Sequence, residues 1–251
     1  MISEFPLFMF TTLAGLSAGF MATRAIFPLS EDGKRPWLSL LVALVLLGAG
    51  LLGVLFHLGR PERFINAMMN PVAGIAQEGY TSIVFGLLLL IDLILVWRKG
   101  ESPRGLQIAT GVAGFALTVV MGNAYTAYLG TPAWTSWATV PLFVVGDIAM
   151  GGALYGIFAA KAYEKPGYLA LMIAAEVVFA VALYFLVLHF ANVGLGGGAL
   201  VFGIVVAGLG AFAATMLVRK RPSLALTYAV LACSVVGVAA ARWAFYAAAA
   251  L

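Results

Sequence analysis

The sequence predicts an all-α integral membrane protein, an eight-transmembrane-helix bundle with the N- and C-termini on the outer face, forming a single transmembrane domain over residues 1–251. Three observations carry this prediction. The 251 residues are 63% hydrophobic and 10% charged, with a mean hydropathy of +1.06, well outside the range of soluble domains. The apolar residues fall into eight runs, each near the ~20 residues that a helix needs to cross a bilayer. The basic residues gather at the run ends of one face.

Taken in order, the first run, 5–28, follows Met1-Ile2-Ser3-Glu4. That start is acidic and the run is too long for the apolar core of a cleaved signal, so this helix is expected to stay as a span. The second, 37–58, closes on His57-Leu58-Gly59, and the third, 79–97, opens just after Glu78. The fourth, 105–127, ends around Tyr125, and the fifth, 140–160, carries Asp147. The sixth, 167–189, holds Glu176 and closes on His189; the seventh, 198–217, follows the glycine-rich stretch 194–198. The eighth, 223–246, contains Arg242 and the single cysteine, Cys233. One cysteine excludes a disulfide framework and a cysteine-ligated cluster or zinc site within the chain. Any iron–sulfur centre is expected in a partner.

Lys and Arg flanking spans are retained in the cytoplasm. Of the 14 basic residues, eleven flank one face: Arg24, Lys34, Arg35, Arg98, Lys99, Arg104, Lys161, Lys165, Arg219, Lys220 and Arg221. Three, Arg60, Arg63 and Arg242, lie towards the face of the termini. The termini therefore point outward, and the pI of about 9.3 reflects short loops on the inner face and gives no reason to expect nucleic acid. The four cytoplasmic connections are too tight to house a folded domain. The outer face offers two longer segments, 59–78 and 126–139, so a partner is expected there.

In the first segment, Gly59 is placed to cap the second span and Pro61 to start a short helix on which Phe64 and Met68 share a face. Asn70-Pro71 ends it. The bland reading is an interfacial helix with Arg60 and Arg63 turned to headgroups; the functional one is a rim over a quinone pocket. The second segment holds Tyr125, Tyr128, Trp134 and Trp137, which as bare aromatics form an interfacial belt.

Ionisable groups inside hydrocarbon are stronger pointers, each costing about 2.5–3.5 kcal/mol unless neutralised or paired. Glu78 and Arg242 lie towards the outer face, Asp147 about two turns below it, Glu176 near mid-membrane, and Asp92 towards the cytoplasm. Structural pairing, of Asp147 or Glu78 with Arg242, is the competing explanation. His57 and His189 both end their spans on the outer face. An imidazole with an ordinary pKa of ~6.5 can exchange the protons that quinol chemistry requires. His57 groups by topology with Glu78 and Arg242, whereas His189 reads as a boundary residue.

His57-Leu58-Gly59-x-Pro61, then Glu78, then Tyr125 with Thr131-Pro132-x-Trp134-x-Ser136-Trp137 and Pro141, and finally Arg242-x-x-Phe245-Tyr246 together resemble the DmsC-type membrane anchors of dimethyl sulfoxide reductases. The resemblance spans nearly the whole chain. It implies a haem-free, metal-free subunit of a prokaryotic cytoplasmic (inner) membrane that exchanges electrons between a quinone, menaquinone or ubiquinone, and a four-cluster iron–sulfur subunit carrying [4Fe-4S] centres on the outer face. A molybdopterin catalytic subunit would act on the terminal substrate. The resemblance places His57 and Glu78 in the quinol site, and Arg60, Tyr125, Asp147 and Arg242 are the further candidates for quinone binding. Arg60 stands where related chains can have a small residue, and the chain is short for the family.

Two other classes compete. A secondary transporter or proton-coupled permease would also carry intramembrane carboxylates, but the two halves of the chain show no internal repeat. A di-haem cytochrome needs four histidines where this chain has two, enough for one haem at most.

Overall fold

The computed structural model describes residues 4–29, 36–57, 64–159 and 161–250. Among them are eight helices long and apolar enough to cross a membrane. In chain order the helices are α1 (Phe5–Ile26), α2 (Trp37–His57), a short α3 (Phe64–Met68), α4 (Gly74–Lys99), α5 (Arg104–Thr126), α6 (Thr139–Phe158) and α7 (Pro166–Asn192). The seventh crossing is composite: α8 (Gly198–Gly203), a π-helical segment (Ile204–Gly210) and α9 (Ala211–Lys220). Helix α10 (Leu224–Ala247) completes the set. The boundaries follow local chemistry. Gly100, in the left-handed region at φ 81°, caps α4, and Pro166 occupies the first turn of α7.

Helices α1 and α6 form the centre, and both are predominantly buried. Small residues let them touch backbone to backbone. A Cβ on Gly19 would lie 1.8 Å from the Asp147 carbonyl oxygen, and one on Gly151 2.0 Å from the Phe20 nitrogen. Helices α2 and α5 pack on α1 on one side, with α4 laid against both of them; α7 and α10 pack on α6 on the other, with the composite crossing laid against α7 and α10. Exposed Ile83, Leu87 and Ile91 on α4, and Val177, Val181 and Leu188 on α7, make the outer faces that lipid would cover.

Three details differ from the expectations drawn from hydropathy. Helix α4 begins at Gly74, five residues before position 79, which places Glu78 in its second turn rather than ahead of it. Gly74 and Gly79 are weak helix formers, so the apolar pattern reads as starting late; packing against α3 overrides propensity. Phe64 and Met68 of α3 both close over Gly79, and the Tyr80 hydroxyl donates to the Met68 carbonyl. Arg24 is not a loop cation: it is 3% exposed and pairs with Asp92 at 2.5 Å, pinning α1 to α4. The seventh span is not a uniform α-helix but carries the π segment over its glycine-rich middle.

Candidate functional site

The site grows from the second turn of α4. Glu78 is 7% exposed and its Oε1 has no hydrogen-bond partner. A buried carboxyl oxygen left unsatisfied is costly and marks a place where another group belongs. Glu78 stands in the walls of two cavities. On one side is an apolar crevice of about 150 Å³ between α1, α2, α3 and α4, lined by Phe10, Leu51, Val54, Phe64, Ser82 and Ile83. Ile83 is 46% exposed on the apolar surface, so the crevice opens sideways between helices. The Ser82 hydroxyl, one turn from Glu78, is buried without a partner. On the other side is a larger, more polar cavity of about 490 Å³, lined by Glu4, Leu7, Tyr125, Tyr128, Thr131 and Trp134. Its mouth lies at the end of the bundle where α4 starts and α5 ends, beside the exposed Tyr128.

The polar cavity rests on a rigid aromatic floor. Tyr125 stacks on Phe143 at 5.2 Å and meets Trp134, Phe245 and Tyr246 edge-on at 5.2 to 5.6 Å. Trp134 stacks on Phe245, and its Nε1 donates to the Phe245 carbonyl at 2.7 Å. The two tryptophans thus part company. Trp137 is exposed against Phe185, as a belt residue would be, whereas Trp134 is buried in the cavity wall.

Below this floor lies a closed ion pair. Arg242 Nη2 donates to Asp147 Oδ1 at 2.6 Å with both side chains fully buried. Arg242 also donates to the Thr11 carbonyl and lies 4.8 Å from the centre of the Phe143 ring. The Tyr246 hydroxyl donates to Thr11 Oγ1 at 3.2 Å. Asp147 and Arg242 line neither of the two cavities around Glu78.

Of the residues picked out from sequence, Glu78 and Tyr125 share the polar cavity, while Asp147 and Arg242 pair with each other behind it. His57 ends α2, but its side chain, and all of Arg60, lie outside the described residues. His189 Nε2 donates to the Pro132 carbonyl at 2.9 Å, tying the 132–134 turn to the end of α7. No group of three or more His, Cys, Asp or Glu able to hold a metal occurs among the described residues. Sequence reasoning missed Ser82, although its i+4 spacing from Glu78 puts both on one helix face. Glu4 and Leu7 were missed because nothing in sequence brings α1 to the 126–139 segment, whose Thr131 shares the cavity wall with them.

Chemically, Glu78 is a carboxyl shared by the walls of both cavities. A carboxyl there can take a proton from a molecule in the crevice and release it to water in the polar cavity. An apolar slot with a carboxyl and a hydroxyl at its inner end also suits a flat, two-oxygen ring.

Comparison with known proteins places the chain in a family. Residues 1–241 match the family described as DMSO reductase anchor subunit (DmsC). A similar protein is the C subunit of the anaerobic dimethyl sulfoxide reductase of Escherichia coli (strain K12), 29% identical over 163 residues. The matched region spans 61% of the present sequence and 56% of that relative's length.

Proposed function

The chain belongs to the DMSO reductase anchor subunit family, and from that premise we propose that it is the quinone-reactive membrane anchor of a molybdenum iron–sulfur oxidoreductase. The observation that carries the reading is the place of Glu78, with a partnerless oxygen, between an apolar crevice open to the side and a polar cavity open at the bundle end. In this reading the quinol ring enters from the bilayer between α2 and α4, and either menaquinol or ubiquinol fits the scheme. The Ser82 hydroxyl and Glu78 face its inner oxygen, and His57, at the end of α2, serves the other. Glu78 accepts the proton and passes it to the polar cavity. Asp147 and Arg242 hold the floor on which Tyr125 rests. The cavity mouth is the outer face of a prokaryotic inner membrane, where a four-cluster iron–sulfur subunit docks and a molybdopterin subunit completes the complex.

The test separates quinol chemistry from assembly. His57→Ala should leave the complex assembled and active with an artificial donor that feeds the catalytic subunit, yet stop quinol-linked turnover. Glu78→Gln should keep quinone affinity within about tenfold, ~1.4 kcal/mol, while slowing turnover more severely. Normal quinol-linked rates in both variants would defeat the reading.

A further inference from the structure

The other half of the bundle holds a second cluster that the quinone site does not use. Glu176, at the middle of α7, is fully buried. Its Oε1 accepts from the Thr215 hydroxyl of α9 at 2.7 Å, and its Oε2 has no partner. Ser234 of α10 is also fully buried with an unpartnered hydroxyl. Register puts the two at one depth. A Cβ on Gly146 would meet Phe179 at 3.0 Å and Val238 at 3.3 Å, so those two side chains form one layer. Glu176 lies three residues before Phe179 and Ser234 four before Val238, on helices running in the same direction, which is one turn below that layer. The π segment passes alongside: a Cβ on Gly208 would be 2.8 Å from Ala180 and 4.0 Å from the Glu176 carbonyl. Such segments recur at functional sites.

Beneath the cluster a cavity of about 290 Å³ opens at the face of the α6–α7 and α9–α10 links, lined by Lys161, Tyr163, Val218, Ser223 and Thr227. Thr215 is one turn inward from Val218, and Ser234 two turns inward from Thr227. Burial pushes the Tyr163 phenol up, and the Glu176 carboxylate adds to the rise. The titratable groups around Glu176 are Tyr163, Tyr168 of α7 and Cys233 of α10. Asp147 of α6 is already paired with Arg242. No cation among the described residues pairs with Glu176.

We propose that Glu176, with Thr215 and Ser234, is a proton-binding site that exchanges with the Lys161 face through this cavity and is sealed from the Glu78 side by Phe179 and Val238. A bare carboxylate at this depth would be uncompensated. One carboxyl and two hydroxyls are a poor cage for a metal ion, whereas a proton neutralises the charge and gives Oε2 a donor for an incoming water, which the Ser234 hydroxyl at the same depth can hold. The inference is independent of the quinol reading.

Infrared spectroscopy of the intact complex tests it. A protonated-carboxyl carbonyl band should vanish in Glu176→Gln and shift in frequency in Thr215→Val, which removes the hydrogen bond. Its H/D exchange should slow at least tenfold in Thr227→Trp, which fills the cavity, with quinol turnover unchanged. If Glu176→Gln does not assemble, the other two variants decide. A band indifferent to Thr215→Val, or exchange equally slow in the wild type and Thr227→Trp, overturns the proposal. So does loss of the band on adding sodium at constant pH, since the ligand would then be a metal cation.

Discussion

Arg242 and Asp147 set two roles against each other. Each alone, inside a membrane, is a candidate functional group; together, at 2.6 Å and fully buried, they neutralise each other and tie α6 to α10. Gly15 belongs to the same unit, because a Cβ there would lie 2.0 Å from Asp147 Oδ1. Removing one partner leaves a buried charge and costs about 3–5 kcal/mol, whereas replacing both with apolar residues of similar size is often tolerated. Arg242→Met should therefore lower the thermal stability of the solubilised complex severely, and Asp147→Leu/Arg242→Met should recover much of it together with quinol turnover. A double variant that is stable but inactive would make the pair part of the chemistry.

Helices show the same division between what a pattern reveals and what packing adds. The glycines of α1 and α6 are a prediction in themselves. Gly19→Ala places a methyl 1.8 Å from the Asp147 carbonyl oxygen, against backbone that cannot yield, and should abolish assembly as judged by recovery of the complex from membranes. Gly48→Ala on α2 meets nothing within 4 Å and should be neutral or stabilising, by up to ~1 kcal/mol from helix propensity. The eight spans were legible because hydrocarbon demands long apolar runs. Glu78 and Tyr125 were legible as candidates because an ionisable group and a boundary aromatic stand out against that background, and both prove to line one polar cavity. The partner of Arg242 was not, since a choice between Asp147 and Glu78 depends on helix rotation, which residues so uniformly apolar do not encode. Trp134 and Trp137 were indistinguishable for a related reason: they sit three residues apart in an irregular segment with no period to say which turns inward. The π segment was hidden too, because its glycines fit an α-helix, a bulge or a link equally well.

For the whole molecule the open quantity is direction. Eight crossings put both termini on one face, and the mouth of the Glu78 cavity lies at that face, beside Glu4 and Ala249. Each side of the charge count loses one residue, because Arg24 and Arg242 are interior ion-pair partners. Removing them turns eleven against three into ten against two, which leaves its sense unchanged. The termini and the cavity mouth are thus expected outside, and quinol protons should be released there. With the single native thiol removed by Cys233→Ala, Leu129→Cys, at an 83% exposed position near the mouth, should react with a membrane-impermeant maleimide on intact cells when the protein is expressed without partners. It should be protected in the assembled complex. Ser223→Cys, exposed at the opposite face, should react only in inverted vesicles. Quinol-linked turnover in right-side-out vesicles should then acidify the external medium, and Glu78→Gln should slow that acidification in proportion to turnover. Labelling of Ser223→Cys from outside would reverse the topology and move the docking surface to the Lys- and Arg-rich face. Labelling as expected, with Leu129→Cys equally reactive in the complex, would keep the topology and remove the partner from the cavity mouth.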